Sequence, residues 1–187
     1  MTGGTFNITG GAGIVARAGS VSVSNATINT TGNATGKVGD SRVVVPCSAI
    51  VFDSEAAYPA LTNTSAISVE SGTFTSEADA ISVVKPEGEG AVERVAVTGG
   101  TFSTDVKEYL AEGKILQKNG DTYTAVTNSG ITSGTYTAKP TVPDGYKVVE
   151  NTDGTFTVEK VGGYYYYQPT TDTKTTDTKG SPKTFDA

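Results

Sequence analysis

The sequence is constrained most by a short motif that recurs along its first hundred residues. An apolar-x-apolar pair and a short polar stretch precede Gly-Thr-Phe, with copies that end at Phe6, Phe74 and Phe102 and a weaker copy that ends at Ile28. Each copy alternates with a period of two over a few residues and is flanked by Gly, Asn or Ser. This pattern predicts strands too short to be stable as isolated hairpins. A repeat of this kind decides the fold class.

A second pattern lies between these copies, in which a small residue precedes Ile-x-apolar. It occurs at 13–16, 49–52, 66–69 and 80–83. Successive motif ends, from Phe6 onward, are 22, 46 and 28 residues apart, and the interval of 46 could hold one circuit with insertions or two circuits. Several strands per circuit, with a repeat near 22 residues, predict a parallel β-helix in an all-β chain.

In such a fold the equivalent residues of successive coils stack into columns. The glycine before each Thr-Phe is expected to adopt the positive φ that a tight corner needs. An all-β sandwich is the alternative, but it does not predict near-identical Gly-Thr-Phe corners. We expect one interior column of Phe6, Ile28, Phe74 and Phe102, and another of Ile14, Ile50 and Ile81.

The segments between the predicted strands are expected to carry any binding chemistry. Gly/Thr/Asn-rich or acidic loops are predicted at 30–40, 53–64 and 85–90, and loops commonly carry function. Tyr58 is interpreted either as a ligand contact or as an anchor that packs its loop on the coil. A solvated acidic face is expected, with a weak Ca²⁺ site as the alternative. The predicted ligand contacts are Tyr58, Asp53, Glu55, Glu77 and Asp79, and no catalytic, cofactor-binding or metal-binding residue is assigned.

The chain changes character after Phe102. Val106, Tyr109 and Leu110 have helical spacing and Gly113 follows them, which predicts a short helix within 103–113 that caps the last coil. Asn119-Gly120 and Asp153-Gly154 predict two hairpins.

Three units are expected from these patterns. They are β-helix repeats with their cap over 1–127, a small antiparallel β module over 128–161, and a disordered Thr/Lys/Asp-rich stalk over 162–187.

Composition excludes several classes of function. The net charge of −6 opposes binding to nucleic acid phosphates. Cys47 is the sole cysteine and is expected to be a small buried residue, since the chain has no histidine to activate it. No apolar run is long enough to span a membrane, and no signal peptide is visible. The chain begins as the middle of a repeat does, so Met1 is expected to have been added to a fragment.

The Gly-Gly-Thr-Phe copies, the stretch 100–113 and the hairpin 119–124 resemble Gram-positive, gut-type bacterial surface proteins with right-handed, pectin-lyase-like β-helix repeats. The tail 164–187 resembles the region before their C-terminal anchor. This resemblance implies a right-handed parallel β-helix on the bacterial cell surface, outside the cell, anchored through a segment missing from this chain. The sequence at 181–185 lacks the Leu and Gly of the usual sortase motif, which leaves sortase linkage and a membrane anchor both open.

The expected function is that of a non-catalytic structural or adhesive segment whose partner is a host protein or a glycan. The alternative is a fragment of a polysaccharide-active β-helix enzyme, with Glu70, Glu77 and Asp79 as its nearest approach to an acidic constellation. A third class, the flat-faced ice-binding solenoid, needs a regular Thr-x-Thr array. The segments 27–30 and 73–75 are predicted not to repeat in register, which disfavours this class.

Overall fold

A computed structural model shows an all-β protein. The strands are β1 (Thr5–Thr9), β2 (Ile14–Ala16), β3 (Ser20–Val23), β4 (Ala26–Thr31), β5 (Ile50–Asp53), β6 (Ala66–Val69), β7 (Gly72–Ser76), β8 (Ile81–Val84), β9 (Val95–Val97), β10 (Gly100–Phe102), β11 (Lys114–Asn119), β12 (Thr122–Thr127), β13 (Gly134–Tyr136), β14 (Tyr146–Glu150) and β15 (Phe156–Lys160). The structure describes residues 1–17, 19–32, 45–53, 66–84 and 94–162.

The first ten strands pair in three parallel ladders. These ladders have the orders β1-β4-β7-β10, β2-β5-β8 and β3-β6-β9, so the chain visits each ladder in turn and returns to the first. We call one such circuit a coil: β1 to β3 form coil 1, β4 to β6 coil 2, and β7 to β9 coil 3. Ile28 pairs directly with Phe74, and the interval of 46 residues is therefore a single coil with insertions.

The predicted aromatic and aliphatic column is confirmed in its register. Phe6 pairs with Ile28, Ile28 with Phe74, and Phe74 with Phe102. The rings of Phe74 and Phe102 stack with centroids 5.2 Å apart and planes 17° apart. Ile28, Phe74 and Phe102 are at most 1% exposed, whereas Phe6 is 40% exposed because β1 is the terminal strand of its ladder. The prediction that Phe6 is interior is therefore wrong.

The second predicted column is also confirmed, since Ile14 pairs with Ile50 and Ile50 with Ile81. Ile67 has the same local pattern but lies in the third ladder, where it pairs with Val21 and Val95. Both ladders use a small residue followed by Ile, so the local pattern alone does not assign a strand to its ladder.

Glycine is required at the corner that precedes the aromatic column. Gly72 has a φ of 131°, and a Cβ on it would lie 2.4 Å from the Ala26 carbonyl oxygen and 3.0 Å from Cζ of Phe74. In the copy that ends at Ile28, Ala26 occupies the equivalent position and the positive φ moves to Asn25, at 54°. The copy that has Ala instead of Gly at the corner therefore has Ile, which is smaller than Phe, in the column.

The predicted capping helix is wrong. Within 94–162 the segment after β10 contains a single 3-10 turn at Lys107–Tyr109, and Leu110 is already extended, with φ −66° and ψ 132°. Leu110 forms a parallel bridge with Val97, and the Ala111 N–H donates to the Val97 carbonyl. Pairing with β9 therefore outweighs the local helical spacing, and the coil end is covered by extended chain.

The C-terminal part continues the first ladder as antiparallel sheet. Both predicted hairpins are present, β11 with β12 and β14 with β15. β12 pairs with β10, so one sheet of nine strands runs from β1 to β14. A second apolar cluster packs there, formed by Ile115, Ile131, Tyr136 and Val158. Beyond Gly162, the predicted stalk lies outside the described residues.

Replacement of the corner glycine tests its backbone role. Gly72→Ala should lower the free energy of unfolding by about 2–4 kcal/mol, since it combines a strained φ with a backbone clash. Gly11→Ala is the control, because its Cβ would meet only Ile8 Cγ2 at 3.7 Å; it should change stability by about 0.5 kcal/mol or less. Urea unfolding followed by circular dichroism measures both, and equal losses would contradict the assignment.

Truncation of the column tests its burial. Phe74→Ala should destabilise the protein by about 3–5 kcal/mol, as cavities in packed cores do. Phe6→Ala should cost about 1 kcal/mol or less, because much of that ring is already in water. The same unfolding measurement applies, and a Phe6→Ala loss as large as that of Phe74→Ala would show that the exposed ring is packed.

Candidate functional site

The five predicted ligand contacts do not form one site among the described residues. Glu55 and Tyr58 lie outside those residues. Asp53, Glu77 and Asp79 are described, and each lies at the end of a strand or in the corner that follows one. They differ in what their carboxylates contact.

Asp53 is buried and paired. Its side chain is fully buried at the end of β5, and its Oδ2 accepts a hydrogen bond from Arg17 Nε at 3.0 Å. Arg17 directly follows β2, which lies beside β5. A charge-assisted bond of this kind is stronger than a neutral one. Asp53 therefore ties coil 1 to coil 2.

Glu77 and Glu70 also bond to the preceding coil. Glu77 Oε2 accepts from the Gly32 backbone N–H at 2.7 Å, and Glu70 Oε1 accepts from Ser22 Oγ at 2.8 Å. They flank the five residues of β7 on opposite sides, a strand length of about 17 Å. The structure therefore does not bring these two carboxylates into one constellation.

Asp79 lines a cleft that the sequence did not predict. The cleft has a volume of about 260 Å³, and β8 forms one wall through Ile81. The turn after β10 forms the other wall. This turn contributes Asp105, Lys107, Glu108 and Tyr109 to the lining of the cleft.

Hydrogen bonds between coil 3 and the segment after β10 hold this cleft together. The Ala80 N–H donates to Thr104 Oγ1 at 2.8 Å, and the Ser76 N–H donates to Ser103 Oγ at 2.9 Å. The corner that carries Asp79 is thereby fixed to the segment that leads to the 3-10 turn. The two walls of the cleft are positioned by backbone as well as by side chains.

The cleft is predominantly acidic and has one aromatic wall. Burial raises the pKa of the Tyr109 phenol, and the carboxylates of Glu108 and Asp79 raise it further. The Lys107 ammonium lies 3.9 Å from Asp105 Oδ2 in an exposed ion pair. An aromatic ring beside several hydrogen-bonding groups suits a polar ligand with an apolar face, such as a sugar.

Sequence reasoning missed the turn residues of the cleft because it placed them on a helix. One signal was present: Lys107 lies 28 residues after Asp79, the same spacing as Phe102 after Phe74. Residues that are separated by one circuit of the chain lie side by side. The shared spacing therefore predicts that the turn residues lie beside Asp79.

The described residues hold no group of three or more Asp, Glu, Cys or His side chains that is arranged to bind a metal ion. Cys47 is buried, as expected, with its Sγ 3.2 Å from the Gly11 carbonyl oxygen.

The outward face of the first ladder, β1-β4-β7-β10, carries a regular array of polar side chains. Thr27 pairs with Thr73, and Asn29 pairs with Thr75. The prediction that these segments are out of register is therefore wrong, because insertions in coil 2 hide the register from sequence spacing. Asn29 Nδ2 donates to Asn7 Oδ1 at 2.9 Å, so part of this polar array is used in bonds between coils.

No protein family, curated protein or solved structure was found to match the chain. The class is thus defined by its strands: an all-β protein with three parallel ladders and an antiparallel extension. Within the described ranges, no helix has the length and apolar character that crossing a bilayer requires.

The raised pKa of Tyr109 predicts a dependence on alkaline pH. The pKa lies above the ordinary value of 10.0, so the protonated phenol stabilises the fold fully below that pH. This contribution is lost as pH rises through the folded-state pKa. Stability should therefore fall more steeply above pH 10 in wild type than in Tyr109→Phe.

Ultraviolet difference titration of tyrosinate measures the same group, as wild type minus Tyr109→Phe. The midpoint should exceed 10.0, and Glu108→Gln should move it down, since one nearby negative charge is removed. A midpoint at or below the ordinary value would contradict the geometry of the cleft.

Proposed function

We propose that this chain is a non-catalytic structural and adhesive segment of a bacterial cell-surface protein, built as a right-handed parallel β-helix. The observation that carries the proposal is the set of three parallel ladders, which the chain visits in a fixed cycle. In a solenoid each coil contacts only its neighbours, so the molecule grows along one axis and suits a spacer.

The contacts of the acidic residues support a structural role for the coils. The bonds Arg17–Asp53, Ser22–Glu70 and Gly32–Glu77 each join one coil to the next. These side chains therefore contribute to coil stacking, in addition to the interior columns. These three bonds lie at different positions around the coil. The stabilisation that they provide is therefore spread around the circuit.

The cleft at Asp79 is the proposed adhesive site, and its proposed ligand is a glycan. Its volume of about 260 Å³ is below the roughly 300–1,000 Å³ of pockets for drug-sized molecules. That size favours a terminal sugar residue over a protein loop. The carboxylates and the Lys107 ammonium provide partners for sugar hydroxyls, and Tyr109 provides an apolar wall.

The extracellular location is supported by the resemblance of the repeats and of the Thr-rich tail to Gram-positive surface proteins. The acidic net charge of −6 favours a neutral or cationic partner over nucleic acid.

A polysaccharide-active enzyme is the second candidate. One observation favours it, namely that Asp79, Asp105 and Glu108 line the same cleft. Glycoside hydrolysis uses a pair of carboxyl groups on either side of the bond that breaks. Pectin, xylan and mucin glycans are the substrates to test.

Binding to a glycan array, followed by calorimetric titration of the strongest hit, tests the proposal. Asp79→Asn and Tyr109→Ala should each weaken binding at least about tenfold, equivalent to about 1.4 kcal/mol. Glu159→Gln is the control and should bind as wild type does, because Glu159 forms an exposed pair with Lys147 in the distant β14–β15 hairpin.

Two results would change the assignment. Product release that is lost in Asp79→Asn and Glu108→Gln would replace the adhesive function with the enzymatic one. Equal binding by wild type and both cleft variants would remove the ligand from this cleft.

A further inference from the structure

The three parallel ladders end together on one side of the molecule. β1, β2 and β3 are the terminal strands of their ladders among the described residues. At the opposite side β12 pairs with β10, and Leu110 pairs with Val97 of β9. We call the side formed by β1, β2 and β3 the N-terminal face.

The apolar side chains of the N-terminal face resemble in type the buried side chains with which they pair in coil 2. Phe6 is 40% exposed, whereas its column partners are at most 1% exposed. Ile14 and Val21 are half-buried, whereas Ile50 and Ile67, which pair with them, are buried. Each of the three ladders therefore ends in an apolar side chain of the type that the interior uses.

The first two residues of the chain pair with coil 1 in the same way as each coil pairs with the one before it. Thr2 forms a parallel bridge with Ser24, and the Ser24 N–H donates to the Met1 carbonyl at 2.9 Å. The equivalent bonds higher up run from Glu70 N–H to the Val23 carbonyl at 2.9 Å and from Thr98 N–H to the Val69 carbonyl at 2.8 Å. Met1 and Thr2 thus occupy the position that one further coil would have in the third ladder.

The sequence repeats this correspondence. Residues 2–6 read Thr-Gly-Gly-Thr-Phe, identical to residues 98–102, which cross from β9 to β10. The corner before β1 therefore shares its sequence with the corner between β9 and β10, and Gly4 and Gly100 share a positive φ of 102° and 111°, whereas Gly3 has a positive φ and Gly99 does not.

We infer that the N-terminal face is a docking surface for one further coil of the same repeat. That coil pairs in parallel with β1, β2 and β3 and covers Phe6, Ile14 and Val21. Strand edges are templates for strand addition, and this interface continues the coil-to-coil interfaces within the molecule. The inference depends on the coil architecture proposed above and is independent of glycan binding.

Tandem duplication of residues 3–24 within the full chain tests it. The duplicate places Ser24 before Gly3, where Thr2 stands in the original chain, so the added coil enters in register with the 22-residue spacing of Phe6 and Ile28. The Gly4 carbonyl and the Gly10 N–H bond toward β4, so the Asn7 N–H points to the open edge of β1. Amide exchange at Asn7 of the original copy should slow at least tenfold, and the melting temperature should rise.

A control duplicate carries Asp in place of Phe6 and Ile14 of the added copy. It should leave exchange at the original Asn7 unchanged, because its columns cannot stack. Equal protection by both duplicates, or by neither, would overturn the inference.

Sedimentation of the unmodified chain identifies the competing occupant. A dimer that becomes monomeric in Phe6→Asp would show that a second copy covers this face, which also overturns the inference. Exchange at Ile28 and Phe74 tests the coil architecture separately: fast exchange there contradicts the proposed fold, while slow exchange there with an unprotected added coil overturns this inference alone.

Discussion

In-register parallel pairing of β1, β4, β7 and β10 is the constraint on which the rest of the structure depends. Neighbouring strands lie about 4.8 Å apart, so each Phe or Ile of the column must fit directly on the one before it. A Cβ on Gly72 would lie 2.4 Å from the Ala26 carbonyl oxygen of the neighbouring strand and 3.0 Å from Cζ of Phe74. Corner geometry and column packing are therefore one requirement, and both follow from the same short motif.

Much of this arrangement could be predicted from residues that act locally or repeat plainly. The Gly-Thr-Phe corners predicted the column, and the Asn-Gly and Asp-Gly turns predicted the hairpins. The prediction of a helix was wrong because Leu110 pairs with Val97 in a parallel bridge and the Ala111 N–H donates to the Val97 carbonyl, contacts that helical spacing cannot reveal. The Thr27–Thr73 register was hidden by the insertions of coil 2, since sequence distance measures loop length as well as coil length.

The candidate site shows the same division. Asp79 was predicted from its position in a corner, but its neighbour Tyr109 follows from the stacking of successive coils. Asp53 was predicted as a ligand contact and is instead buried against Arg17. Both residues are acids at corners in the sequence, and they differ in the side chain that the adjacent coil presents. The choice between ligand contact and structural contact is therefore made by tertiary structure.

The unequal lengths of the circuits have a further consequence. Successive column residues are 22, 46 and 28 residues apart, yet they share one register. The entropy of closing a flexible loop rises only logarithmically, by about 0.6 kcal/mol for each doubling of its length. Such a scaffold can accept long or divergent excursions at a corner with little loss of stability. Surface chemistry can then diversify under selection while the interior sequence stays nearly constant.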